Sequence, residues 1–248
     1  MNKGRIHAMD ELRGFAIICM VFFHAFYTMY FIFDIKIGQT LLNFFAPAQA
    51  YFACGFILIS GISSCLSRSN LKRGLKLFAV ALGVTAVTCL FLKGNEIYFG
   101  ILHLLSVCMI AAHFIIPLTE KIPVYIGAAV NTLLFYMTYD VFIGYLKIPF
   151  YGNVRLPAFL YRTNWLSPFG FFNSEYLSTD YFPIFPYIFM FFIGVFIGRY
   201  AKQGRLPDFL YKSRVPFLSF AGRHTLIIYI VHQPIIYVIL LLYAYISG

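Results

Sequence analysis

The sequence predicts an all-α integral membrane protein, a single helical bundle of about seven transmembrane helices with a cytoplasmic N-terminus. Two features of the composition lead to this prediction. Hydrophobic residues make up 61% of the 248 residues and charged residues only 11%, with a mean hydropathy of +0.80. Soluble domains contain about 25% charged residues, so the composition indicates a membrane protein. Aromatic residues make up 20%, which is typical of lipid-facing helices with interfacial belts.

Seven apolar runs are long enough to cross a bilayer, which takes about 20 helical residues. In chain order these predicted spans are 12–33, 41–66, 75–92, 97–118, 123–142, 183–200 and 221–246. The first run is too long for a cleavable signal peptide and opens with acidic residues, so we expect it to remain as a span. Gly194 and Gly198 form a Gly-x-x-x-Gly pair, which predicts a helix-packing face in the sixth span. No linker interrupts the sequence, and we predict one domain over residues 1–248.

The distribution of Lys and Arg predicts the orientation of these spans. With a cytoplasmic N-terminus, one side holds Lys3, Arg5, Arg13, Arg68, Lys72, Arg73, Lys76, Lys121, Arg199, Lys202, Arg205, Lys212, Arg214 and Arg223. The other side holds Lys36, Lys93, Lys147, Arg155 and Arg162. This asymmetry follows the positive-inside rule. It also accounts for the net charge of +10 through insertion and attraction to anionic lipid, so we expect no nucleic-acid partner.

The cysteines and histidines give no indication of a metal or disulfide site. All five cysteines lie inside predicted spans, and no Cys-x-x-Cys pair occurs. We therefore interpret them as small packing residues. The sequence has no Walker loop, dinucleotide fingerprint or His-Glu-x-x-His motif, and no histidine pair has helical ligand spacing. We expect no metal.

Residues 10–24, DELRGFAIICMVFFH, run from a charged cluster into a span that carries a histidine. At 100° per residue, Asp10, Arg13 and His24 lie on the same side of the helix. His24 lies about 21 Å along the helix from Asp10, beyond the middle of the membrane. Ionisable groups inside spans usually face a bundle interior or a water-filled cavity, so His24 is a candidate functional residue. A simple interfacial helix start is the alternative for Asp10, Glu11 and Arg13.

His103, Asp180 and His232 occur at depths compatible with that of His24. In NEIYFGILHLLS, Glu96 and His103 are seven residues apart and are predicted to share a helical face. Asp180 lies at the outer start of the sixth span, and His232 lies near the middle of the seventh. Each also has a structural explanation: a buried histidine commonly bonds a carbonyl group, and Asp180 is a suitable helix N-cap. The agreement in depth, rather than any single residue, indicates a functional site.

Five motifs carry a resemblance to a known family. They are MDELRGFAIICMVFFH, SGISSCLSRSNLKRG, FGILHLL, STDYFPIFPYIFMFFIGVFIGR and GRHTLIIYIVHQP. In this order they resemble bacterial membrane proteins of the heparan-α-glucosaminide N-acetyltransferase (catalytic domain)-like family, within the transmembrane acyltransferase superfamily. The resemblance implies a multi-pass protein of a prokaryotic plasma membrane. It implies transfer of an acetyl or short acyl group from cytoplasmic acetyl-CoA to a hydroxyl or amine, on a sugar, at the outer side.

The resemblance also assigns residues. Asp10, Arg13 and Gly14 match the family's Asp-x-x-Arg-Gly motif at the cytoplasmic mouth, and His24 matches a position where lysosomal relatives have Asn. The other matches are Gly100 and His103 in the fourth-span motif, and Asp180 and His232 in the last two. One departure is evident: FDIKIGQT, the first outer loop, lacks the histidine proposed as catalytic in the lysosomal enzyme. Two hypotheses follow: His24 serves in its place, or the bacterial branch uses another chemistry.

Together these arguments predict a site with two parts. The predicted catalytic residues are His24, His103, Asp180 and His232. The predicted cofactor-binding residues, which would hold the CoA phosphates, are Asp10, Arg13, Arg68, Lys72, Arg73 and Arg223. His24 or His103 would be the general base, oriented by Asp180, while His232 or Tyr229 would hydrogen-bond the developing oxyanion. The expected partners are the lipid bilayer, acyl-CoA and a carbohydrate-like acceptor, and a homo-oligomer is compatible with the sequence.

Two other functions stay open at this point. A small-molecule or proton-coupled transporter or channel would also place histidine and aspartate along an internal pathway. An assembly subunit would need these groups only for packing. Transfer of label from acetyl-CoA distinguishes an acyltransferase from both alternatives.

Overall fold

A computed structural model describes residues 5–247 of the chain, and Lys3 of the predicted inner basic set lies outside them. The helices are α1 His7–Phe31, α2 Lys36–Cys65, α3 Asn70–Phe91, α4 Ile101–Thr119, α5 Val124–Thr138, α6 Ile184–Lys202, α7 Pro216–Arg223 and α8 Thr225–Ser247. Within the described residues, seven helical segments are long and apolar enough to span a membrane: all helices except the short α7, with the fifth span running over Val124–Ile143. This confirms the predicted multi-pass helical bundle.

The last predicted span, 221–246, differs from the structure. The structure has two helices there: α7 begins at Pro216 and ends at Arg223, and α8 begins at Thr225. His224 lies between them and its N–H bonds the carbonyl of Ala221 at 3.1 Å. The apolar pattern continues across this break, so hydropathy alone does not reveal it.

A short β-hairpin follows the fifth span and was not predicted. Strand β1, Tyr145–Ile148, pairs antiparallel with β2, Gly152–Arg155. Four-residue strands are too short to give an alternating pattern that stands out beside a long apolar helix.

The chain forms two compact units, residues 5–56 with 206–247 and residues 57–205. In the first unit, α1 packs on α7 and α8. Contacts between α1 and α8 advance in the same direction along both helices: His24 lies beside His232, and Thr28 beside Gln233. The two helices are therefore parallel, as the first and last of seven spans must be.

In the second unit, α3 packs on α4, and α5 packs on α6. The C-terminal part of α2 also contacts α6 through glycines. A Cβ at Gly194 would overlap the carbonyl of Leu58, and one at Gly198 would lie 2.7 Å from the Cβ of Cys65. The Gly-x-x-x-Gly pair is thus a helix-packing face, as the sequence predicted. Fully buried side chains such as Leu104 and Phe191 form the core of this unit.

Candidate active site

A histidine pair lies between α1 and α8 in the first unit. The ring centroids of His24 and His232 are 5.2 Å apart, with an interplanar angle of 54°. His232 is buried and His24 is half-buried. The structure therefore brings together two of the four predicted catalytic residues, although most of the chain separates them in sequence.

The hydrogen bonds of His232 determine which of its nitrogens can act as a base. Its Nδ1 lies 2.5 Å from the carbonyl oxygen of Tyr229, one turn earlier on α8. A carbonyl oxygen can only accept, so Nδ1 carries the proton and donates it to Tyr229. In the neutral ring, Nε2 then holds a lone pair. Nε2 is buried and has no hydrogen-bond partner among residues 5–247.

A second polar contact joins the same two helices. The hydroxyl of Thr28, one turn beyond His24 and buried, donates to Oε1 of Gln233 at 3.4 Å. Gln233 directly follows His232, so this bond lies next to the histidine pair along both helices. The helical period places Thr28, four residues after His24, on the same helical face, whereas no sequence pattern indicated Gln233.

At the start of α1, Asp10 forms a buried carboxylate centre. Nε of Arg5 lies 2.5 Å from its Oδ2, and a guanidinium nitrogen of Arg13 lies 3.7 Å from its Oδ1. The hydrogen bond to Asp10 raises the pKa of the Arg5 guanidinium above its ordinary value. The Asp10 side chain is 6% exposed, whereas those of Arg5 and Arg13 are 55% and 21% exposed. Arg5 is therefore the more exposed of the two cations beside Asp10.

Glu11 has a different role from its neighbour Asp10. Its Oε1 accepts hydrogen bonds from the backbone N–H groups of Arg214 at 2.7 Å and Val215 at 2.9 Å. It also accepts from the hydroxyls of Ser213 and Ser219, both at 3.3 Å. A carboxylate in this position satisfies free amides at the beginning of α7 and interacts favourably with the helix dipole. Glu11 therefore fixes α7 against α1.

Two glycines permit the close approach of α1 and α7. A Cβ at Gly14 would overlap the carbonyl of Leu218, and a Cβ at Gly222 would overlap the carbonyl of Asp10. Gly14 belongs to the Asp-x-x-Arg-Gly motif, so its requirement there is steric. On α7, Nε of Arg223 bonds the carbonyl of Ser219 at 3.2 Å, and its side chain is exposed.

His103 and Asp180 lie in the second unit. His103 is buried at the third position of α4. Its Nδ1 accepts from the N–H of Gly100 at 3.3 Å, and its Nε2 lies 3.3 Å from the hydroxyl of Thr85. That hydroxyl donates to the carbonyl of Ile97 at 2.7 Å, so it accepts the Nε2 proton of His103. Both ring nitrogens of His103 therefore have partners.

Asp180 lies at the N-terminus of α4. Its Oδ2 accepts from the N–H of Ile101 at 3.3 Å, and it has a left-handed backbone conformation with φ of +56°. Gly100 permits this contact, since a Cβ there would lie 2.8 Å from Oδ2 of Asp180. The alternative prediction, that Asp180 is the N-cap of the sixth span, is wrong: it caps α4, and the N-cap of α6 is Pro183.

The predicted common face of Glu96 and His103 is also wrong. Helix α4 begins at Ile101, so Glu96 lies in the preceding turn. There, Oε2 of Glu96 accepts from the N–H of Gly94 at 3.0 Å. Apolar residues 97–99 extended the predicted span past the true start of the helix.

The remaining predicted cofactor-binding residues also lie in the second unit. Arg68 precedes α3, and Lys72 and Arg73 lie in its first turn, all with exposed side chains. Within residues 5–247, no three His, Cys, Asp or Glu side chains converge as metal ligands would. The five cysteines are all free thiols.

Comparison with known proteins gives one assignment. Residues 5–234 match the family model of the catalytic domain of heparan-alpha-glucosaminide N-acetyltransferase. Neither curated protein sequences nor solved structures gave a significant match. The matched range begins at Arg5, the ion-pair partner of Asp10, and extends past His232 to Pro234. This chain therefore belongs to the heparan-alpha-glucosaminide N-acetyltransferase catalytic-domain family, and it is a multi-pass membrane protein of the acyltransferase type.

Proposed function

We propose that this protein transfers an acetyl or short acyl group from cytoplasmic acyl-CoA to a hydroxyl or amine of a sugar-like acceptor on the outer side of a membrane. The family gives the class of reaction. The observation that supports this use of the site is the buried, unpartnered Nε2 of His232 beside His24. A lone pair in that state suits a general base, because the Nδ1–H bond to Tyr229 fixes both the tautomer and the ring orientation.

The reaction follows from that tautomer. Nε2 of His232 removes the proton from the acceptor hydroxyl or amine as its oxygen or nitrogen attacks the thioester carbonyl carbon. The new C–O or C–N bond forms, and the electron pair of the broken C–S bond leaves on the CoA sulfur. The imidazolium then returns its proton to that thiolate, which releases CoA–SH and restores the neutral ring. The imidazole of His232 is therefore neutral at the beginning and at the end of each turnover.

His24 is the proposed oxyanion-stabilising residue for this step. Its ring lies against that of His232, on the facing helix. A neutral His24 can donate a hydrogen bond to the carbonyl oxygen that becomes negative in the transition state. His103 and Asp180 stay predictions for catalysis, and their hydrogen bonds support a role at the N-terminus of α4.

The donor's phosphates are proposed to bind the cations at the start of α1 and on α7, namely the exposed Arg5 and Arg223 and the half-buried Arg13. Guanidinium groups form strong charge-assisted hydrogen bonds with phosphate. Arg68, Lys72 and Arg73 of the second unit stay predictions for the same role.

The Arg13→Ala variant tests this phosphate site. We expect it to weaken CoA binding about 10-fold or more, because a charge-assisted hydrogen bond is lost. Arg5 still pairs with Asp10, so the fold should persist. Arg155→Ala, at an exposed position of β2, is the matched control, and added salt should weaken binding to the parent protein. Binding is measured by calorimetry with purified protein. Equal effects of the two substitutions would contradict a phosphate site at Arg13.

The proposed function itself is tested with labelled acetyl-CoA. Purified protein in liposomes should transfer label to an added glucosamine-type acceptor and release CoA thiol in equal amounts. Flux of protons or small molecules without label transfer would instead indicate the transporter. Absence of both would indicate a structural subunit.

The proposed direction of transfer, from the inner to the outer side, rests on the distribution of Lys and Arg. Single cysteine substitutions test this topology. Lys36→Cys, at the first residue of α2, and Lys72→Cys, in the first turn of α3, lie at opposite ends of the predicted second crossing. In sealed vesicles, an impermeant maleimide is expected to label one variant and not the other. Detergent should then expose both. Labelling of both before detergent would contradict the proposed topology.

A further inference from the structure

The hairpin of β1 and β2 carries two exposed aromatic side chains at its turn. Phe150 and Tyr151, here called the hairpin tip, are 111% and 80% exposed. Phe150 also has a left-handed backbone, with φ of +65°, which is uncommon for a bulky residue. A turn in water would favour Gly or Asn at such a position. The tip therefore presents a large apolar ring that no described residue covers.

The base of this hairpin is fixed to the end of a membrane span. The fifth span ends at Ile143, and β1 begins two residues later at Tyr145. Nζ of Lys147 lies 2.9 Å from Oδ2 of Asp140, and it lies 5.0 Å from the centre of the Tyr139 ring. The hydrogen bond to Asp140 raises the pKa of Lys147. Because the anchor points belong to the span, the hairpin must lie at the membrane surface.

The exposed aromatic surface continues from the span into the hairpin. Tyr136, Tyr139 and Phe142 at the end of the span are 52%, 44% and 44% exposed, and Tyr145 of β1 is 37% exposed. These rings are only partly covered, and Nζ of Lys147 lies 5.8 Å from the centre of the Tyr136 ring. Aromatic rings concentrate at this level of a bilayer, where an apolar body and a polar tip are both satisfied.

The charges near the hairpin are complementary to a lipid surface. Arg155, at the end of β2, and Arg162 are exposed cations, whereas the acidic Asp140 is paired with Lys147. Unpaired cations beside exposed rings favour the headgroup region of a bilayer that contains anionic lipid. We infer that the hairpin tip inserts into the lipid headgroup region on its side of the membrane and anchors the segment between the fifth and sixth spans. This inference depends on the membrane spans and not on the proposed transfer reaction.

The sequence offers a direct test, since Trp165 is its only tryptophan. In a Trp165→Phe background, Phe150→Trp places the sole fluorophore at the hairpin tip and keeps an aromatic ring there. Ser174→Trp in the same background is the matched control, at an exposed polar position of the same segment. Both proteins are placed in nanodiscs of phosphatidylcholine and phosphatidylglycerol, with or without bromine on the acyl chains. Thermal midpoints equal to that of the parent protein verify the fold.

The tip tryptophan should lose most of its fluorescence with brominated lipid, emit at shorter wavelength and resist quenching by acrylamide. The control tryptophan should show the opposite pattern. Equal quenching of both by acrylamide, with no effect of bromine, would overturn the inference because the tip would then be in water. Protection of the tip from both quenchers would also overturn it, because a protein or sugar would then cover the ring.

Discussion

Replacing His232 by Asn is expected to lower acetyl transfer by about 10²–10⁴-fold, which is the usual contribution of a general base. The amide of Asn can still donate a hydrogen bond to the Tyr229 carbonyl, so the local packing of α8 should persist. It cannot accept a proton at neutral pH, so the attacking hydroxyl or amine stays protonated. Donor binding should change little, because His232 lies two turns into α8, whereas the Asp10 centre lies beside Gly222 on α7.

The measurement compares initial rates of label transfer with CoA affinity in the same preparation. His113→Asn, at an exposed position of α4, is the matched control and should keep the parental rate. If His232→Asn keeps more than about a tenth of the parental rate, another group is the base.

His24→Asn in the same assay separates the two histidines. With His232 as the base, His24 only has to donate a hydrogen bond, which Asn can also do. The resemblance to lysosomal relatives, in which Asn occupies this position, implies the same tolerance. A loss at His24→Asn as large as that at His232→Asn would contradict this assignment, because a hydrogen-bond donor at position 24 would then not be sufficient.

The helices were predictable because one physical signal determines them. A span needs about 20 apolar residues, and that requirement appears directly in composition. Helix ends depend on hydrogen bonds that the hydropathy pattern does not contain. The start of α4 at Ile101 depends on Asp180, and the start of α7 depends on Glu11. Two predictions were wrong for this reason: Glu96 was placed inside a helix that begins only at Ile101, and the break before Thr225 was missed.

The site was predictable only where its residues are close in sequence. The pairing of Asp10 with Arg13 follows from their i,i+3 spacing. The contact of His24 with His232 depends on which helices are neighbours, and no periodicity in either helix contains that information. Which nitrogen of His232 carries the proton depends on its contact with a carbonyl group of its own helix. The sequence does not contain that contact, so only the structure favours His232 over His24 as the base.

Replacing Gly222 by Ala is expected to destabilise the protein by about 1–3 kcal/mol or more, because the added methyl group overlaps the carbonyl of Asp10. The clash is with backbone, which cannot turn aside as a side chain can. Helix α7 must therefore move away from α1, which weakens the bonds of Glu11 to Arg214 and Val215. Gly222→Leu should leave little folded protein.

The matched control for this substitution is Gly83→Ala in α3, where a Cβ would meet nothing within 4 Å. A glycine inside a helix costs about 0.5–1 kcal/mol relative to alanine, so this variant should be slightly more stable than the parent. The thermal midpoint in detergent should fall for Gly222→Ala and rise for Gly83→Ala. The same substitution, Gly to Ala, then changes the thermal midpoint in opposite directions, which a general effect of alanine in helices cannot produce.

A midpoint for Gly222→Ala at or above the parental value would show that α1 and α7 are not in the backbone contact described. In that case the Asp-x-x-Arg-Gly motif would need a reason other than close packing for its glycine.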